Sequence, residues 1–360
     1  MIKRRLLPVL VLVAASSGLF AARFAPEALP DHLTNQEFWK LSSSTSELGG
    51  FFRSDNLLSN EVYLQSVVPE LTRLAAPGRV YLGVGPEQNF TYIAALKPAM
   101  AVIIDVRRGN LDLHLMYKAL FELSADRADF VSRLFSRKRP DGLGASSTAA
   151  EIFQAFARVE PSSALYKSNL EAIEHTLTRT HGFALTSDDL GGAKGIEFVY
   201  NAFFTFGPEL TYSSLNGFGG FRGGRTMPSY ADLMTLTDEN GQARGYLATE
   251  ANFAVVKDLE RRNLVVPVVG NFGGPKAIRA VGAYLKEHHA VVSAFYLSNV
   301  EQYLRQDSIW TDFCHNAATL PIDDASVFIR SARGGRAGGF GSLSNELEPI
   351  AEVVKSCAAQ

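Results

Sequence analysis

The sequence predicts an α/β fold: a doubly wound, mostly parallel sheet with helices on both faces and a helical insertion. Two stretches carry the prediction. In the first, an apolar run at 80–82 meets Gly83-Val84-Gly85, Ile93 and Leu96 follow at helical spacing, and a second apolar run at 101–104 ends in Asp105. In the second, an apolar run at 264–269 meets Gly270-Asn271-Phe272-Gly273-Gly274. Pro275 then opens a helix carrying Ile278, Val281 and Leu285, and a further apolar run spans 291–297. Strand, glycine turn, helix and strand, occurring twice, is the pattern of parallel strands joined by crossover helices. Composition agrees: 46% hydrophobic and 20% charged residues in a chain of 360 describe a globular protein with an ample core.

From the start of the chain, residues 1–24 read as an export signal or a membrane anchor. Lys3, Arg4 and Arg5 precede an apolar core, and Ala21 and Ala22 suit a cleavage site. In either case the remainder is expected outside the cytoplasm, periplasmic or anchored facing outward. The membrane is then touched only through this segment, if it stays uncleaved. Residues 25–58 form an irregular lead-in with a short helix near 35–41. Ser59 or Asn60 caps a helix with Leu64, Val67, Val68, Leu71 and Leu74 at helical spacing, interrupted or bent at Pro69. A single domain over 59–332 follows from here.

After Asp105, Asn110 is placed to cap a helix whose buried stripe is Leu113, Met116, Tyr117, Leu120 and Phe121. His114 beside that stripe reads as structural. The basic stretch 127–139 reads as a solvated helix end. An insertion is expected over about 125–180, with a loop at 140–148 and two helical pieces broken at Pro161. Asp188-Asp189 reads as the cap of a following helix, and the aromatic stretch 196–206 as core. The glycine-rich stretch 213–230, with Phe218, Phe221, Arg222 and Arg225, is either a lid over a ligand or a surface loop. A helix over 249–262 turns Phe253, Val256 and Leu259 inward. A last strand is expected at 327–330, then a tail over 333–360 with a flexible 334–341 and a terminal helix at 347–354. Cys314 and Cys357 either pair in an oxidising compartment or are two unrelated thiols.

The stretch 79–123 resembles the first half of the class I S-adenosylmethionine-dependent methyltransferase domain, a Rossmann-type fold. In that family a glycine-rich turn follows the first strand and an acid ending the second strand holds the ribose hydroxyls. Gly83, Gly85 and Asp105 match those positions, with Asp105 at the spacing expected of a ribose-binding acid. Tyr81 stands where the family has an acid, and Glu87 where it has a third glycine. The resemblance implies S-adenosylmethionine as cofactor, bound by Gly83, Gly85, Glu87 and Asp105. Asn271, Ser298 and Asn299, at the ends of later strands, are the candidate substrate-binding residues. The stretch FYLSNVEQYL is similar to a late strand-to-helix turn of some S-adenosylmethionine aminocarboxypropyl transferases. The blocks YLGVGPEQNFTYIAALKP and NFGGPKA resemble a family of exported bacterial proteins, which implies no activity.

The function expected is therefore a methyltransferase-like nucleotide-cofactor domain, a transferase using S-adenosylmethionine. The alternative is a non-catalytic exported protein that binds a small molecule in the same fold, because S-adenosylmethionine is made in the cytoplasm. A net charge of −2 gives no electrostatic case for nucleic acid. The sequence has no metal-ligand spacing, and neither G-x-S-x-G nor H-E-x-x-H supports a hydrolase.

Overall fold

The computed structural model describes residues 28–215, 227–333 and 343–357. Six strands form one sheet: β1 (Val80–Gly83), β2 (Met100–Asp105), β3 (Val265–Val269), β4 (Val292–Ser298), β5 (Val327–Arg333) and β6 (Leu343–Pro349). Their order is β3-β2-β1-β4-β5-β6, parallel through β5, with β6 antiparallel to β5. The α/β architecture expected from the sequence is thus present. At β1 the strand order reverses, with β2 on one side and β4 on the other. A parallel sheet opens a crevice there, beyond its carboxyl ends.

Before β1 come α1 (Asn35–Thr45) and α2 (Val68–Leu74). The helix α3 (Gln88–Leu96) joins β1 to β2. Between β2 and β3 lie α4 (Arg108–Leu123), α5 (Arg127–Phe135), α6 (Ala149–Phe156), α7 (Ser163–His175), α8 (Ser187–Gly191), α9 (Ile196–Phe206), α10 (Tyr230–Thr235) and α11 (Glu250–Arg261). A π turn, Thr176–Thr180, continues α7. The rest are α12 (Ala277–Glu287), α13 (Val300–Gln306), α14 (Trp310–Ala317) and α15 (Ile350–Cys357). Neighbouring residues of β4 show that both sheet faces are covered. Tyr296 packs on Tyr92 of α3, with ring centroids 5.3 Å apart. Phe295, pointing the other way, packs on Phe313 of α14 at 6.3 Å.

The edge strand β3 is wholly buried although it contains Pro267, which an edge tolerates because no neighbour needs its missing N–H. The lead-in covers that edge. Ser42 Oγ donates to the Pro267 carbonyl (2.5 Å), Val269 N–H donates to Ser46 Oγ (2.9 Å), and Glu47 N–H donates to the Val269 carbonyl (2.8 Å).

Several sequence expectations are corrected. Residues 59–67 are not helical; Pro69 lies in the first turn of α2 and opens that helix instead of bending one. Arg107, not Asn110, occupies the cap position of α4. Arg127 is no solvated helix end: it is 0% exposed, bonded to Glu250 at 2.8 Å and to the carbonyls of Leu247 and Ala248. The helical insertion is longer than 125–180, because α5 to α10 extend from Arg127 to Thr235. The region expected to be a tail supplies β6 and α15, and the terminal helix starts only after Pro349 has ended the strand. Cys314 of α14 and Cys357 of α15 form a disulfide. Residues 216–226 of the glycine-rich stretch, read as either a lid or a surface loop, and the stretch 334–341, read as flexible, lie outside the described residues. Among the described residues no helix is long and apolar enough to cross a membrane.

Candidate ligand cleft

Beyond the carboxyl ends of β1 to β4 lies a cleft of about 1010 Å³, counted out to its open mouth. β1 contributes Val84-Gly85-Pro86, β2 contributes Asp105 to Arg107, β3 leads to Gly270-Asn271-Phe272, and β4 ends in Ser298-Asn299-Val300. Phe51, Phe52, Tyr212 and Tyr303 add aromatic walls. Tyr303 is held by Phe52 edge-on at 4.9 Å and by Arg53, whose Nη2 donates to its hydroxyl at 2.8 Å.

Asn89, on the first turn of α3, shapes the corner after β1. Its side chain is fully buried, and Nδ2 donates to the carbonyls of Val84 (3.0 Å), Gly85 (3.1 Å) and Pro86 (2.7 Å). Its Oδ1 accepts the Tyr81 hydroxyl at 2.8 Å. A Cβ on Gly83 would lie 1.9 Å from that oxygen, so Gly83 makes room for Asn89 and does not line the cleft. Gly85 does line it. With φ at +76° and no atom within 4 Å of where a Cβ would stand, it lets the backbone turn with open space beside it. His114 Nε2 lies 2.8 Å from the Gly85 carbonyl and therefore donates. Burial lowers this imidazole to about 4, which keeps it neutral. Glu87 is fully buried behind the corner, accepting Ser59 N–H at 3.1 Å. Burial pushes its carboxyl up to about 8, and it does not reach the cleft.

Asp105 reaches the cleft wall but is already engaged. Its Oδ1 accepts Arg107 N–H and Nε–H, both at 2.9 Å, and Oδ2 accepts Nη2–H at 2.7 Å. Arg107 Nη1 also donates to the Asp55 carbonyl, tying the lead-in to the end of β2. A carboxylate offers about four acceptor sites. Arg107 takes three here, leaving one on Oδ2.

The corner after β3 is filled by the protein itself. Glu47 Oε1 accepts the N–H groups of Lys276 and Ala277, each at 2.8 Å, and Oε2 accepts Asn271 N–H at 3.2 Å. It thereby occupies the positive end of α12, where an anion would otherwise bind. Asn271 lines the cleft, but its Oδ1 accepts Gly273 N–H at 3.0 Å. Ser298 and Asn299 line it at the end of β4. Ser298 has φ at +50°, a left-handed conformation unusual for a side chain with Cβ. Its hydroxyl donates to Glu61 at 2.7 Å.

The structure thus brings Gly85, Asp105, Asn271, Ser298 and Asn299 to one cleft and leaves Gly83 and Glu87 behind its wall. Arg107, Tyr212 and the aromatic pair Phe51-Phe52 are cleft residues that the motifs do not mark, whereas Tyr303 belongs to the stretch FYLSNVEQYL. Phe51 and Phe52 had one visible signal, two adjacent aromatics after Gly49-Gly50 in a polar lead-in.

The sequence pattern of one family, described as a domain of unknown function (DUF7790), matches residues 57–187 and 222–350. The matched segments contain Gly85, Asp105, Asn271, Ser298 and Asn299. No curated protein matches the chain.

Proposed function

The chain belongs to the DUF7790 family, and we propose that it is a nucleoside-cofactor domain of the methyltransferase type, holding S-adenosylmethionine in the cleft. One observation carries this reading: Gly85, Asp105 and Ser298 meet in a single cleft where the strand order reverses. The residues fit a nucleoside. The remaining acceptor site on Asp105 Oδ2 takes one ribose hydroxyl while Arg107 stays in place, so the buried ion pair need not break. The open side of Gly85 admits a ligand close to the backbone, and the aromatic walls offer ring surface to a base. When bound, S-adenosylmethionine supplies an electrophilic methyl group. The chain contributes orientation through Asp105, Ser298 and Asn299, and Phe52 and Phe272 exclude water.

A second reading, an exported binding protein that takes a nucleoside-like ligand in the same cleft without catalysis, is favoured by the Cys314–Cys357 disulfide. Disulfides persist in oxidising compartments, away from the cytoplasmic supply of S-adenosylmethionine. Calorimetric titration of purified protein with S-adenosylmethionine and with adenosine separates the two. The main reading expects S-adenosylmethionine to bind, and Asp105→Asn, checked for folding by circular dichroism, to weaken it about tenfold. Adenosine binding without S-adenosylmethionine binding would establish the second reading instead; binding of neither would dismiss both.

A further inference from the structure

Glu61 is 1% exposed, and four donors converge on its two oxygens. Oε1 accepts the hydroxyls of Tyr296 (2.9 Å), Ser298 (2.7 Å) and Ser331 (2.6 Å), and Oε2 accepts Gln88 Nε2–H at 2.8 Å. Four converging donors are the pattern of an ionised carboxylate, which only accepts. All four are neutral, and among the described residues no Lys, Arg or His comes within ion-pair distance of it. The other buried acids differ. Asp105, Asp189 and Asp238 each have an arginine, at 2.7, 2.8 and 2.9 Å. Glu87 has a single donor, Ser59 N–H, and an oxygen with no partner. Buried charges are ordinarily paired, so among the described residues Glu61 stands out as a carboxylate with four neutral donors and no counterion.

Its position says what that counterion is. Three of its four donors, Tyr296, Ser298 and Gln88, themselves line the cleft, so the carboxylate lies one side chain behind the wall. Asp105 and Arg107, at the end of β2, cancel each other. Arg53, which donates to the Tyr303 hydroxyl, and Asp307 are both exposed at the rim, where solvent screens them. The β4 end of the cleft therefore carries a negative potential from a charge held in low dielectric, where attraction is strongest.

We propose that Glu61 makes the β4 end of this cleft selective for a cationic centre in a nucleoside ligand, a sulfonium or an ammonium, over the neutral thioether of the same shape. The proposal rests on the nucleoside reading above and adds a specificity residue that no ligand motif marks. Both Ser298 and Tyr296 hold the carboxylate facing that end, and the left-handed backbone of Ser298 keeps its hydroxyl on Glu61.

Three probes that share their nucleoside and amino-acid ends test this by titration calorimetry at neutral pH. They are S-adenosylmethionine (a sulfonium), sinefungin (an ammonium at that position) and S-adenosylhomocysteine (a neutral thioether). Wild type is expected to bind both cations at least about tenfold more tightly than the thioether. Glu61→Gln is expected to bring the three within about twofold of one another, by weakening the cations and leaving the thioether unchanged. Should that variant not fold, Glu61→Asp, which withdraws the charge by one methylene, is expected to shrink the preference. Equal wild-type affinities overturn the inference and leave the nucleoside reading standing. So does a preference confined to the methylated cation, or one unmoved by the variants. If none of the three binds, the nucleoside reading fails and the inference falls with it.

Discussion

The two glycine corners read alike in the sequence and do opposite things in the structure. Each follows a parallel strand and each precedes a helix, and in the folded chain each has a glutamate beside it. At the corner after β1, Glu87 is buried as a neutral acid, Asn89 clasps three carbonyls, and Gly85 leaves open space on the cleft side. At the corner after β3, Glu47 enters from the lead-in and takes three backbone N–H groups. A Cβ on Gly274 would lie 2.4 Å from Glu47 Oε2, so glycine there admits the protein's own carboxylate. A glycine-rich turn thus signals a close approach and leaves open whether a ligand or a side chain makes it.

Breaking the clasp of the open corner should have the largest effect. Asn89→Ala removes the donor to three carbonyls and the acceptor of the Tyr81 hydroxyl, and is expected to cost about 3 kcal/mol of unfolding free energy by denaturant titration. A loss below about 1 kcal/mol would mean that the corner holds its shape without the clasp.

Glu87→Gln sharpens the contrast between the two glutamates through pH. Burial raises the folded-state pKa of Glu87 to about 8 from an ordinary value of 4.5. Between those values the folded chain keeps a proton that the unfolded chain releases, so stability falls as pH rises through this window. Below it both states are protonated and the contribution is intact. Asp112 and Glu260, also raised to about 8 by burial, slope the same way. Glu87→Gln cannot ionise, so it should gain on wild type as pH climbs from 5 to 8, by on the order of 2 kcal/mol at the top. Parallel urea midpoints for the two proteins across that range would show instead that Glu87 ionises without penalty.

The filled corner gives the smallest change. Glu47→Ala exposes three N–H groups at a half-buried site where water replaces the cap, so the expected loss is about 1–2 kcal/mol, read from thermal unfolding. A neutral outcome would show that the corner does not depend on its carboxylate.

What is legible in the sequence follows from the distance over which each feature is specified. β1, β2 and β3 are buried on both faces and read as continuous apolar runs, so local composition reveals them. Asp105 ends one of those runs, and its place at the strand end is readable for the same reason. β6, LSNELEP, is a polar edge strand that pairs only with β5, and nothing local distinguishes it from a loop. The difference between the corners is hidden because the residue that fills the second lies 224 positions from Asn271. Glu61 is hidden likewise: its hydroxyl donors are 235, 237 and 270 positions away, and the apolar spacing around it suggests a helix that does not form. Arg107 is close by in sequence, but its hold on Asp105 depends on rotamers that the residue types do not dictate.

The most direct test is amide hydrogen exchange with and without saturating S-adenosylmethionine. New protection is expected at 84–88, 105–107 and 298–300, at the open corner and the strand ends beside it, with 273–277 unchanged because Glu47 already holds that corner. Protection at 273–277 instead, or none at 84–88 and 105–107 under saturation, would contradict the assignment of the open corner to the ligand.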